Sequence, residues 1–94
     1  MSTYELIWDE EARDFLKKTD KQRAERIIKK VNSIVDNPEH YLETLVEMSC
    51  HKLRIGDDRA LIDWREAEKK IVVLLLCHRS EIYMYTKRTG FQRK

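Results

Sequence analysis

Five residues suited to phosphate chemistry lie in the second half of the chain: Lys52, Arg54, Arg59, Arg79 and Tyr83, carried by the runs HKLRIGDDRALIDW (51–64) and HRSEIY (78–83). A guanidinium stays charged at any physiological pH and its fork matches phosphate oxygens. A tyrosine can stack on a splayed base, or act as a base where cations lower its pKa. Cutting RNA without a metal requires activating a 2′-hydroxyl against the neighbouring phosphorus, stabilising the charge that develops, and protonating the departing 5′-oxygen. Arg59 and Arg79 suit the second task, and Lys52 or Arg54 would hold the scissile phosphate or the backbone. His78 and His51 titrate near neutrality, and His78, adjoining Arg79, ranks first for proton transfer. Strand parity would put 78 and 79 on opposite faces unless the strand ends or bulges between them. Plainer readings stand beside these: Arg59 as an edge arginine paired with Asp57 or Asp63, Tyr83 and Tyr85 as core-edge aromatics, His40 and His51 as surface residues, Trp8 and Trp64 as core.

A β-hairpin must bring the first three cations together. A two-residue loop can sit at Gly56-Asp57 or Asp57-Asp58, and both placements put Leu53 and Ile55 on the face of Ala60, Ile62 and Trp64, because side chains alternate with period two. The opposite face then carries Lys52, Arg54, Arg59, Leu61 and Asp63. Like charges facing each other destabilise a sheet. Their clustering is tolerable if an anion binds there, or if solvent and Asp57, Asp58 and Asp63 screen them.

The charge distribution points the same way. Residues 1–51 hold 8 Lys+Arg and 11 Asp+Glu, net −3, whereas 52–94 hold 11 and 6, net +5. That asymmetry suggests an anionic partner, nucleic acid first. The tail KRTGFQRK alone reads as a loose solvated segment; within the basic half, Lys87 and Arg88 are further candidates for RNA backbone contact. The start MSTYELIWDE has neither a basic nor an apolar leader, and the longest apolar run, 71–77, is far too short for a membrane span, so a cytoplasmic protein with no membrane partner is expected. Cys50 and Cys77 lack ligand spacing and read as small buried hydrophobes in adjacent strands. The histidines and carboxylates show no metal-ligand spacing, and no cofactor is implied.

The elements follow from periodicity. Tyr4 to Trp8 reads as a first strand. Asp9 suits an N-cap for a helix with Ala12, Phe15 and Leu16 on one stripe. A second helix is expected from near Thr19, with Thr19 and Gln22 at capping-box spacing and Ala24, Ile27, Ile28, Val31, Ile34 and Val35 as its buried face, ending at Asn37-Pro38. Residues 39–49 read as a loop. Strands are expected at 50–55, 59–64 and 71–77, the last apolar throughout and so buried on both faces, with a charged turn at 65–70. The fold class is α+β: an N-terminal strand, a helical hairpin, then an antiparallel three-strand meander forming a small sheet packed by two helices. The length suits one domain over 1–94, with a basic tail from about 86.

These residues, in this order, resemble the RelE/ParE superfamily of toxins from type II toxin–antitoxin modules. The resemblance covers roughly 4–85 and rests on the start YELIWDEEARDFLKKTDKQRAERI, the hairpin motif L-R-x-G-D-x-R and the segment H-R-x-x-x-Y. It implies, on the RelE branch, a ribosome-dependent mRNA interferase that cuts message in the A site and is silenced by a cognate RelB-like antitoxin, the complex acting on operator DNA. Lys52 and Arg54 match the family's basic pair, Arg59 the arginine after the turn, Arg79 the arginine after the last strand, and Tyr83 the C-terminal tyrosine. Many relatives have Gly-Asp-Tyr-Arg where this chain has Gly56-Asp57-Asp58-Arg59, and the added acid is expected to weaken phosphate binding or depress activity. Two alternatives stay open: a ParE-like gyrase inhibitor, and an inactive member that acts only as a binding partner.

Overall fold

The computed structural model describes residues 4–45 and 50–82. Strand β1 (Glu5–Trp8) leads into helices α1 (Glu10–Lys18) and α2 (Lys21–Ser33), a four-residue helix α3 (Pro38–Tyr41), the two-residue strand β2 (Glu43–Thr44), and then β3 (His51–Ile55), β4 (Asp58–Arg65) and β5 (Lys70–His78). A short 3-10 turn, Arg79–Glu81, follows. The sheet order is β1-β5-β4-β3-β2, with β1 parallel to β5 and the other neighbours antiparallel. The expected α+β class and three-strand meander are present. Among the described residues no helix is long and apolar enough to cross a membrane.

Local chemistry sets the helix boundaries. Asp9 caps α1 by accepting from the Glu10 N–H at 3.0 Å, and Glu10 and Glu11 in the first turn with Lys17 and Lys18 in the last complement the helix dipole. The second helix begins later than the Thr19 cap expected from sequence. Asp20 is its N-cap, accepting from the Arg23 N–H at 2.9 Å, while the Thr19 N–H closes α1 on the Phe15 carbonyl. Both residues are capping types, and Asp20 takes the role because Thr19 is still engaged by the preceding helix. Of the expected loop 39–49, the described part, 39–45, departs from it: Pro38 at the first position nucleates α3, and β2 pairs with the outer edge of β3, while 46–49 lie outside the described residues.

Both helices lie on one sheet face. Ala12, Ile27, Val31 and Ile34 pack with Leu53, Ile55, Ala60, Ile62, Ile71, Val73 and Leu76, all buried. Fully burying a side chain such as Ile27 contributes about 1.5–3 kcal/mol, and truncating it to alanine would cost about 2–5 kcal/mol. The opposite face carries a second cluster of Cys50, Leu61, Leu75, Cys77 and Ile82. A register shift opposite Leu61/Ile62 lets β5 serve both: Leu61 pairs with Leu75 but Ile62 with Val73, so Leu74 is an extra residue. Odd positions of β5 therefore face the helices before Leu74 and the other side after it. Both cysteines are buried, as the sequence suggested, but not in adjacent strands: Cys50 precedes β3, Cys77 lies in β5, and β4 runs between them.

Candidate functional site

The hairpin loop is Gly56-Asp57, fixed by the pairing of Ile55 with Asp58. Gly56 has φ +60° and Asp57 does not share the left-handed region, the pattern of a two-residue turn with glycine at its first position. In this register Arg54 stands directly opposite Arg59, and Lys52 opposite Leu61. The faces divide as parity requires: Leu53, Ile55, Ala60 and Ile62 lie in the helix-side core, and Leu61 in the other cluster.

Two arginines distant in sequence both contact the hairpin turn. Arg59 Nη1 donates to the carbonyls of Gly56 at 2.9 Å and Asp58 at 2.8 Å. The Arg79 N–H donates to the Asp57 carbonyl at 2.8 Å, and its Nε lies 3.9 Å from Asp57 Oδ1. The turn thus sits between the two guanidinium-bearing residues and ties the end of β5 to the end of the hairpin. The Arg79–Asp57 pair is well exposed on both sides and so contributes little to stability. The expected pairing of Arg59 with Asp57 or Asp63 does not occur: Asp63 takes Arg65 at 3.1 Å. Lys52 Nζ lies 3.2 Å from the exposed Glu43. Arg54 is exposed and has no ion-pair partner among the described residues.

Asp58, the departure from the family pattern, does not sit among these cations. It is 3 % exposed and points to the helix side, where Arg23 of α2 grips it with two hydrogen bonds, Nε to Oδ2 at 3.1 Å and Nη2 to Oδ1. That hydrogen-bonded carboxylate raises the Arg23 pKa further, and the Arg23 guanidinium lies 5.2 Å from the Phe15 ring centroid. The carboxylate expected to weaken phosphate binding is therefore neutralised on the far side of the strand, where it fastens the hairpin to α2.

His78 is placed with Asp58, not with Arg59. The two are cross-strand partners, so the imidazole lies on the helix side, and β5 ends between His78 and Arg79. Its Nδ1 accepts the Ser80 N–H at 3.1 Å and lies 2.9 Å from Ser80 Oγ. In the neutral ring the proton is then on Nε2, and the accepting Nδ1 caps the 3-10 turn. His51 also faces the helix side, 5.3 Å from the Trp64 ring, and burial pulls its pKa below the usual histidine value. Tyr83, Lys87 and Arg88 lie outside the described residues.

Sequence reasoning missed a groove beside the cationic strand. Lys30, His40, Tyr41, Leu42, Glu43, Lys52, Leu53 and Arg54 line a space of about 360 Å³. Only α3, which has no amphipathic pattern of its own, brings Tyr41 there, so no local spacing could have signalled it.

By sequence the chain matches no family model, and no curated protein matches it. By structure it is similar to the RelBE2 toxin–antitoxin complex of Mycobacterium tuberculosis, with TM-score 0.77, 19% identity, and coverage of 85% of this chain and 95% of that one. The isolated Escherichia coli RelE toxin superposes with TM-score 0.67, 22% identity, and coverage of 86% and 92%. The archaeal RelE–RelB complex of Pyrococcus horikoshii gives 0.66, 21%, and coverage of 82% and 96%. The likeness extends over 92–96% of those chains, and the fold is the one found in these RelE and RelBE structures.

Proposed function

We propose that this chain is the toxin of a type II toxin–antitoxin pair, a metal-independent endoribonuclease that cuts message in the ribosomal A site and so inhibits translation. The observation that carries the reading is that Arg59 and Arg79 both contact the Gly56-Asp57 turn, with Arg54 opposite Arg59 and without an acid partner among the described residues. Like charges held face to face on a strand pair favour an anion between them. A phosphodiester passing through a pentacovalent state gains charge on its non-bridging oxygens, and Arg59 and Arg79 are the groups assigned to stabilise it. Lys52 and Arg54 hold the backbone, with Lys87 and Arg88 extending that contact. Attack by the 2′-oxygen forms a bond to phosphorus, the 5′-oxygen leaves with a proton, and a 2′,3′-cyclic phosphate and a 5′-hydroxyl result. Tyr83 is assigned to the base or to the proton transfer. His78 drops from first candidate to a supporting role, because its imidazole caps the 3-10 turn on the helix side.

A cytoplasmic site of action follows from a ribosomal target, with no membrane partner and no cofactor. The partner is a RelB-like antitoxin, and the complex is the form that would bind operator DNA. The helices and the sheet surface away from them are assigned to the antitoxin. Primer extension on a defined message, with purified protein and either ribosome-bound or naked RNA, tests the reading. New 5′ ends with ribosomes alone are expected; intact message at high protein concentration would overturn it and turn attention to gyrase inhibition, read in a supercoiling assay.

A further inference from the structure

The groove beside β3 has a composition that the cutting reaction does not use. Strand β2 pairs with the edge of β3 only at His51 and Lys52, so from Leu53 onward no strand among the described residues pairs with that edge, and Leu53 and Arg54 line the groove. Across from them, α3 holds up Tyr41, 38 % exposed and with Ile28 one of two large hydrophobic side chains so exposed among the described residues. The Lys30 ammonium lies 4.5 Å from the centroid of the Tyr41 ring, and the His40 ring meets it edge-on at 4.7 Å. The lining holds three full cations, Lys30, Lys52 and Arg54, against one carboxylate, Glu43, which already faces Lys52 at 3.2 Å.

An accessible aromatic ring among cations, continuous with a backbone-binding strand, is how single-stranded nucleic acid is held without sequence readout: the ring stacks on a base while the cations meet the flanking phosphates. A space of about 360 Å³ falls within the range of small-molecule sites, about 300–1,000 Å³. We propose that this groove is a second nucleotide subsite, in which an unstacked message base flanking the cut step packs on Tyr41, with its phosphates against Lys30, Lys52 and Arg54. The inference rests on the RNA-cutting reading above and extends it. Lys52 and Arg54 lie at the junction, so the RNA track runs from the hairpin tip across β3 to α3.

Photo-crosslinking tests it directly. Messages carrying 5-iodouridine at single positions through the A-site codon and on either side are loaded on ribosomes with the wild-type protein and irradiated, and the adducts are mapped by mass spectrometry, with cleavage read in parallel. The expected result is an adduct on Tyr41 or His40 from a position outside the cut step. In cleavage kinetics Tyr41→Ala should raise KM about tenfold with kcat nearly unchanged, and Tyr41→Phe should restore it, since stacking needs the ring and not the hydroxyl. Cleavage without a Tyr41 or His40 adduct, or an unchanged KM in Tyr41→Ala, would overturn the subsite and leave the cutting reading standing. Neither cleavage nor any adduct would overturn both.

Discussion

The two sides of the β3–β4 hairpin treat charge in opposite ways. On the helix side a single acid, Asp58, is buried and gripped by Arg23 through two hydrogen bonds. On the other side Arg54 and Arg59 face each other, and the described residues supply no carboxylate for either. A paired, desolvated charge fixes geometry, and breaking it is costly. Cations left opposed are tolerated near water and become favourable when an anion arrives. One strand thus contributes alternate residues to a structural clamp and to the face proposed to bind RNA, and substitutions on the two sides should separate stability from activity.

The largest expected effect is on the outer side. Arg59→Ala should reduce ribosome-dependent cleavage by about 10²–10³-fold, the loss typical of removing one donor to a developing oxyanion. Its thermal midpoint should change little, since the Gly56 carbonyl it releases is exposed and the Asp58 carbonyl only partly buried, so that water can satisfy them.

The inner side should behave in reverse. Arg23→Ala strands the Asp58 carboxylate, 3 % exposed, and should lower unfolding stability by about 3–5 kcal/mol. Asp58→Asn should cost less, because Arg23 retains a side-chain exposure of 36% and can turn to water. Urea unfolding of the two variants measures the asymmetry; equal small losses would mean that the pair does not hold the hairpin to α2.

How far these sides were legible from residues alone depends on the range of the interaction. Period-two alternation was enough to divide Leu53, Ile55, Ala60 and Ile62 from Lys52, Arg54 and Arg59, and helical spacing found Ile27, Val31 and Ile34, because both patterns are local; the same spacing also put Ile28 on the buried face, where the structure leaves it 38% exposed at the rim of the stripe. The same parity rule places Asp58 inward with Ala60, but its partner Arg23 lies in a helix, and no spacing links the two. Thr19 and Asp20 are both capping residues, and only the end of α1 decides between them. The bulge at Leu74 was hidden because every residue of 71–77 is apolar, so a parity change leaves no trace in the pattern. Tyr41 reaches its groove through tertiary placement of α3, which a single sequence does not display.

A smaller effect concerns pH. Burial holds the His51 pKa below its usual 6.5, outweighing the opposing pull of Asp63 and Glu66, and Nδ1 is buried without a hydrogen-bond partner among the described residues. The unfolded chain therefore takes up this proton more readily than the folded one. The stabilising contribution is full above the unfolded value of 6.5 and is lost as pH falls below it toward the lower folded value. Melting at pH 7.5 and about 5.5 should show a smaller drop in His51→Phe than in the wild-type protein; equal drops would remove His51 from the account. Least affected should be thiol reactivity at Cys77, whose pKa is pushed up to about 11, chiefly by burial. Iodoacetamide at neutral pH should leave it unmodified in the native fold and alkylate it in urea, and rapid native alkylation would contradict its place in the second cluster.

The central claim is that the outer side of the hairpin cuts RNA while the inner side only holds it in place. The most direct measurement is ribosome-dependent primer extension with wild-type protein, Arg59→Ala and His78→Gln, each first checked for an intact thermal transition. The account predicts cleavage by the wild type, near-complete loss in Arg59→Ala, and substantial retention in His78→Gln. Full cleavage by folded Arg59→Ala, or loss confined to His78→Gln, would contradict it.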